Sequence, residues 1–237
     1  MEEASSMSDF TSAEKTKILK LKSDIASYYD LTMKKLGNQM LTSMFFNDCI
    51  ITGGCISALW HGEKVNDIDL YAKDLKSMKK IRDMLTDPSN NTIVKKGTAY
   101  ELDTDDGPTL AGKALITNNA VTLANDVQFV YLGAADECRK KFDFIHCMPW
   151  YDLRTQKLYI SQAQVASIRT KTLIPNNTGE KIKERRIKKY TDKGWNDTFT
   201  VKPVVFSWSE LEASRNCRKL PGIVAQEIGE YAPVVYK

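Results

Sequence analysis

The chain has 237 residues, 42% apolar and 27% charged, with a formal net charge of +4. That is enough to bury a core in one large domain or two modest ones, and too mildly basic for charge alone to define a partner. No apolar run approaches a membrane span, and the polar start Met1-Glu2-Glu3-Ala4-Ser5-Ser6 lacks the form of a secretory signal, so no membrane partner is expected. Five scattered cysteines (Cys49, Cys55, Cys138, Cys147, Cys217) without a C-x-x-C pair, and only two histidines (His61, His146), argue against a disulfide framework, a zinc site or a His-rich metal centre. They favour a reducing, cytoplasmic setting.

In chain order, Thr11-Ser12-Ala13-Glu14 has the form of a capping box. Ile18, Leu21, Ile25, Tyr28 or Tyr29, Met33 and Leu36 follow at helical spacing, and Gly37 supplies a stop. Cys49-Ile50-Ile51-Thr52 reads as a short strand ending at Gly53-Gly54, followed by a short helix from Cys55 to His61 closed by Gly62. Asp67-Ile68-Asp69-Leu70-Tyr71-Ala72 alternates as a strand does. Asp74 can cap a helix carrying Leu75, Met78, Ile81 and Leu85. The stretch Thr92 to Leu132 is strand-rich, with a hairpin turn at Asn118-Asn119, a strand at Val127-Gln128-Phe129-Val130-Tyr131 and a loop at Thr104 to Pro108. A short helix near 134–140 leads into an expected strand, Phe142-Asp143-Phe144-Ile145-His146. Helices are then expected at Gln162 to Leu173 and Glu180 to Asp192, with another opening near Ser209. The expected fold is α+β: a mixed sheet with flanking helices over residues 1–160, then a mainly helical region over 161–237.

The chemistry is carried by the order strand, Gly-Gly, helix, Asp-x-Asp strand. Residues i and i+2 of a strand share a face, so Asp67 and Asp69 can serve one metal cluster. Hard oxygen ligands suit Mg²⁺, or Mn²⁺ in its place, shared with substrate phosphates. Gly53 and Gly54 let the backbone approach a triphosphate, and the helix that follows presents N–H groups to it. Asp143 is the expected third carboxylate, because a charge inside an apolar strand needs a partner. Asp126 precedes its strand, and Asp103, Asp105 and Asp106 read as loop acids. Each piece alone has a bland reading, a turn or solvated acids; their order points to transfer of a nucleoside monophosphate from a nucleoside triphosphate.

Ile50-Ile51-Thr52-Gly53-Gly54 with Asp67-Ile68-Asp69-Leu70-Tyr71 resembles the head of the DNA polymerase β-type nucleotidyltransferase superfamily, in the branch of poly(A) polymerase and tRNA nucleotidyltransferase-like proteins that includes phage-encoded members. The resemblance continues through Val127-Gln128-Phe129-Val130, Phe142-Asp143-Phe144, Tyr151-Asp152-Leu153, Ile168 to Leu173 and Arg186 to Trp195. It implies a nucleotidyltransferase-like fold and a metal triad at Asp67, Asp69 and Asp143. It also implies phosphate contacts at Gly53 and Gly54, basic helical residues near the nucleotide, and an RNA end as acceptor. The positions after Gly-Gly read Cys55-Ile56-Ser57-Ala58 where tRNA-specific members carry an Arg-Asp pair, which speaks against CCA addition. A protein or small-molecule hydroxyl, or a non-catalytic RNA-binding role, are the alternatives.

The basic run from Lys181 to Lys193 can meet phosphates or be a solvated helix face. Within the helical region Lys171, Arg185 and Lys189 are the candidates for the triphosphate, with Ser57 near it on the head. Tyr190 and Trp195 can stack on a base or pack in the core, and His61 and His146 read as structural.

Overall fold

The computed structural model, which describes residues 5–86, 100–102, 114–123, 127–176, 181–199, 204–205, 224–226 and 234–236, begins with the helix that the capping box foretells. Thr11 accepts from the Glu14 backbone N–H while the Glu14 carboxylate accepts from that of Thr11, opening α1 (Ser12–Leu36). Gly37 closes it in the left-handed conformation (φ 70°). Ile18, Leu21, Ile25, Tyr29, Met33 and Leu36 form its buried stripe. A helix not read from the sequence follows, α2 (Gln39–Asp48), capped by the Asn38 side chain. Only Leu41 and Phe45 of α2 are buried, too few to set up a visible period.

The head then runs β1 (Cys49–Thr52), α3 (Gly54–His61), β2 (Ile68–Ala72) and α4 (Leu75–Thr86), in the expected order. Strands β3 (Tyr100–Leu102), β4 (Ala114–Ile116), β5 (Ala120–Leu123) and β6 (Val127–Val130) follow, then α5 (Ala135–Lys140), β7 (Trp150–Asp152), β8 (Lys157–Tyr159), α6 (Gln162–Thr170) and α7 (Glu184–Thr191). Eight strands make one mixed sheet in the order β3-β4-β5-β6-β2-β1-β7-β8. Only β2 and β6 run parallel among the paired neighbours; the other pairs are antiparallel. The architecture is the expected α+β mixed sheet with flanking helices.

Register decides which residues share a face. Asp69 lies opposite Thr52 on β1 and Gln128 on β6, and Tyr71 lies opposite Ile50 and Val130. With a side-chain period of two, Asp69, Tyr71, Gln128 and Val130 point to one side of the sheet. Ile51, Leu70 and Phe129, all nearly inaccessible, point to the other, where Phe45 of α2 stacks on Phe129 with ring centroids 5.9 Å apart. The first face carries the site around Asp69 and, beside it, a buried apolar cluster of Ile50, Tyr71, Ala120, Val130, Ala135 and Cys138; the second face carries core.

Three expectations change. Phe142 to His146 is not a strand: Phe144 makes an isolated bridge to Pro175, and Ile145–Cys147 is a 3-10 turn. The turn is held from the end of β1, where the Thr52 hydroxyl donates to the carbonyl of Pro149 at 2.7 Å. The chain divides between Asn196 and Asp197, not near 160, because α6 buries Val165 and Ile168 and α7 buries Tyr190 within the first unit. In the second unit, the described residues Val204–Val205, Val234–Tyr236 and Val224–Gln226 form a three-stranded antiparallel sheet, so a mainly helical region after 160 does not describe them. Their β-branched valines favour strands. The helix expected near Ser209, the loop Thr104 to Pro108, and Asp103, Asp105, Asp106 and Asp126 lie outside the described residues. No described helix is long and apolar enough to cross a membrane.

Candidate functional site

Strand β1 delivers the chain to Gly53 at φ 97° and ψ −162°, a conformation that side chains resist. The Gly53 N–H donates to the Cys147 carbonyl at 3.0 Å, which ties the Gly-Gly corner to the 3-10 turn. Gly53 is required for a second reason: a Cβ there would lie 2.8 Å from Asp69 Oδ2. The carboxylate of β2 is thus packed directly on bare backbone. From Gly54 the chain enters α3, whose first N–H groups look for acceptors beyond the helix. Ser57 is buried there and its hydroxyl donates to the Gly54 carbonyl at 2.9 Å, so its hydrogen is committed within α3.

Asp69 sits in an unfavourable place for a charge. Burial, and then the neighbouring Asp67 carboxylate, push its pKa up to about 7, while Lys189 and Arg186 pull it back. A cavity of about 290 Å³ opens over this point, lined by Gly53, Gly54, Asp67, Asp69, Arg186 and Lys189 among others. Burial pushes the Cys55 thiol upward and raises that of Cys147 to about 11, so neither is a thiolate nucleophile near neutral pH. His146 is buried among the rings of Phe144, Tyr190 and Trp195. Desolvation lowers its pKa to about 3, which keeps it neutral and, with His61 bonded to the Ile168 carbonyl, fits the structural role expected of both.

The cations reach the cavity through one aromatic anchor. Tyr190 is the buried residue of α7; its hydroxyl lies 3.0 Å from Cys147 Sγ, and its ring meets Phe144, His146 and Trp195 edge-on. Arg186 is one helical turn before Tyr190, so anchoring the tyrosine turns Arg186 inward. The adjacent Lys189 also lines the cavity, as do Lys64 and Lys193.

Of the expected site residues, the structure brings together Asp67, Asp69, Gly53, Gly54, Ser57, Lys189 and Asp143 around this cavity. Asp143 meets a cation of the chain itself: its Oδ2 accepts from Arg186 Nε at 2.7 Å. Among the described residues no three His, Cys, Asp or Glu side chains are grouped to hold a metal ion. Lys171 is also engaged elsewhere. It caps α6 in the left-handed conformation and pairs with Glu63 at 2.5 Å. Arg185 is exposed and does not line the cavity, and its neighbour Arg186, passed over in the sequence, does. Reading Tyr190 as the inward anchor would have found it.

The raised pKa of Asp69 has a sign. In the unfolded chain the group releases its proton near the ordinary carboxylate value, while the folded protein holds it to about 7. Between those values the folded state binds more protons, so this group's contribution to stability is full at low pH and is lost as pH rises towards 7. The stability difference between wild type and Asp69→Asn, measured by urea unfolding without divalent ions, should move in the variant's favour from pH 4 to pH 8. A pH-independent difference would contradict the burial of Asp69. The glycines offer a second check. Gly62 also has positive φ (67°) but open space where a Cβ would go. Gly62→Ala should cost about 1–2 kcal/mol for the left-handed backbone. Gly53→Ala should cost clearly more, and equal costs would show that Asp69 does not press on this backbone.

Comparisons with known proteins place this site in a family. A protein of Bacillus phage SPbetaL7, Gabija anti-defense 2, is 24% identical over 165 residues, covering 67% of this chain and 36% of that protein. The chain thus spans little more than a third of that relative's length. Among solved structures, a Thermotoga maritima CCA-adding enzyme complexed with tRNA is 11% identical over 70% of this chain and 45% of its own, with a TM-score of 0.34. A Bacillus stearothermophilus CCA-adding enzyme in complex with CTP is 14% identical over 55% of this chain and 29% of its own, also at 0.34. An apo CCA-adding enzyme reaches 0.38 at 11% identity, over 78% of this chain and 45% of its own. Residues 17–171 match the Gabija anti-defense 2 family across the helix, sheet and Asp-x-Asp strand described above, and the chain belongs to that family.

Proposed function

We propose that the protein transfers a nucleoside monophosphate from a nucleoside triphosphate to an acceptor hydroxyl. The observation that carries this reading is Asp69, packed against Gly53 with the exposed carboxylate of Asp67 beside it, and with Arg186 and Lys189 lining the same cavity from α7. A poorly solvated carboxylate repelled by a second one, with no ion-pair partner among the described residues, is a poor way to stabilise a fold. It is a good way to receive a cation.

The donor set fits Mg²⁺, or Mn²⁺ in its place. Mg²⁺ is commonly held by one or two carboxylates together with substrate phosphates and water, so two acids suffice and a protein-only triad is not needed. When bound, the ion neutralises charge on the reacting phosphate. The chain's own residues do the rest. Gly53 and Gly54 leave room for the triphosphate against the backbone, and the free N–H groups at the start of α3 offer it donors. Lys189 and Lys193 add positive charge along the same wall. Arg186 presents a guanidinium whose orientation is set by Asp143, which makes Asp143 a positioning residue in this reading. Ser57 keeps α3 regular beneath the phosphates.

The family name speaks of anti-defense, so the acceptor belongs, in this proposal, to the defence that the protein counters. The sequence reading favoured an RNA end, supported by the basic run on α7. In the structure Arg186 and Lys189 of that run turn into the cavity, and Lys188 pairs with Asp192. The run therefore divides between the cavity and the surface.

Asp67→Ala and Asp69→Ala should abolish nucleotidyl transfer from a labelled nucleoside triphosphate with Mg²⁺ while leaving the circular-dichroism spectrum unchanged. Arg186→Ala and Lys189→Ala should each lower kcat/KM by about 10–100-fold, the loss of one charge-assisted contact. Turnover by either Asp variant at the wild-type rate would overturn the proposal.

A further inference from the structure

The cavity has two ends, and the register of the sheet tells them apart. Gly53 lies just beyond Thr52, which is paired with Asp69; Tyr71 lies two residues the other way along β2, opposite Val130 and Ile50. Two residues of strand span about 7 Å. The glycine corner and the Tyr71 row are therefore on opposite sides of Asp69. Beyond Asp69 the cavity wall is made by Leu132 and by Tyr71, Ala120, Val130 and Phe142, whose inner sides pack in the apolar cluster with Ile50, Ala135 and Cys138, with Asn119 at the rim. Among the described residues this lobe carries no charged side chain. Tyr71 and Phe142 meet edge to face, centroids 5.9 Å apart, and Leu132 is 63% exposed.

In-line displacement puts the attacking oxygen opposite the leaving group. On the nucleotidyl-transfer reading, pyrophosphate departs toward Gly53 and Gly54, so the acceptor enters from the Tyr71 side. We infer that the acceptor is an uncharged hydroxyl on a protein side chain, a tyrosine foremost, seated in the lobe of Tyr71, Ala120, Val130, Leu132 and Phe142. A phenol ring complements aromatic and aliphatic walls, and its hydroxyl then points at Asp69. The Asn119 amide at the rim is placed to hydrogen-bond the peptide backbone that carries it. An RNA end would instead bring a phosphodiester into this lobe, and phosphate needs cations. The cavity's cations Arg186, Lys189 and Lys193 serve the triphosphate on this reading, and none belongs to this lobe. In the reaction the phenolic oxygen bonds to the α-phosphorus, the bond to pyrophosphate breaks, pyrophosphate leaves with the electron pair, and the phenolic proton passes to solvent. The product is a protein-linked nucleoside monophosphate.

The test uses the full chain, each α-³²P-labelled nucleoside triphosphate, Mg²⁺ and a bacterial extract, afterwards divided between nuclease and protease treatment. The expected label resists nuclease and is lost to protease, and tandem mass spectrometry finds a nucleoside monophosphate on a tyrosine, serine or threonine hydroxyl. Leu132→Glu, at an exposed position that does not threaten folding, should lower this labelling at least tenfold while Mg²⁺ plus nucleotide still raises the melting temperature. Label confined to RNA, label on carboxylate or amine side chains, or full protein labelling by Leu132→Glu overturns the inference. So does a nucleotide-dependent thermal shift with no labelled macromolecule. Absence of both label and thermal shift overturns nucleotidyl transfer itself, so the two failures are distinguishable.

Discussion

Asp69 presses its carboxylate against the bare backbone of Gly53 with Asp67 beside it, and the arrangement of the head depends on tolerating that contact. Asp69 loses hydration in this corner and is repelled by Asp67, which is itself exposed. The corner exists because β1 and β2 pair with Thr52 opposite Asp69, so that the turn after Thr52 falls over the acid. A Cβ at Gly53 would collide with it. The buried hydroxyl of Thr52 and the N–H of Gly53 both reach the 3-10 segment, so the contact is braced from a third direction.

Compensation comes from α7, a short helix polar apart from Ile187 and from Tyr190, which plugs into rings contributed by the 3-10 turn and Trp195. One anchored tyrosine carries Arg186 and Lys189 to the acids without their pairing directly with them. Asp143 completes the balance from the far wall by holding Arg186. The folded protein thus keeps opposite charges near one another across a space, which is the condition under which a ligand with both phosphate and metal can be received by both sides at once.

Much of this was legible in the sequence. The capping box, Gly37, the Gly-Gly corner and the alternating strand at Asp67 announce themselves because local chemistry dictates them. The strand expected around the third acid was misread because Phe142-Asp143-Phe144 imitates a buried strand, although the chain there only bridges once and turns. Arg186 was missed in favour of Arg185 because a run of cations has no period until the inward residue is known. Lys171 was taken for a phosphate ligand where Glu63, distant in sequence, claims it. Such pairings between remote segments leave no local trace, whereas turns and caps do.

In the proposed mechanism Asp69 exchanges a proton for a cation. Isothermal titration of a non-hydrolysable nucleoside triphosphate with saturating Mg²⁺, run at pH 6 in buffers of different ionisation enthalpy, measures that exchange. Wild type should release close to one more proton per nucleotide than Asp69→Asn, and the excess should vanish by pH 8.5. Identical proton release by the two proteins at pH 6 would contradict the claim that the buried carboxylate is the cation's seat.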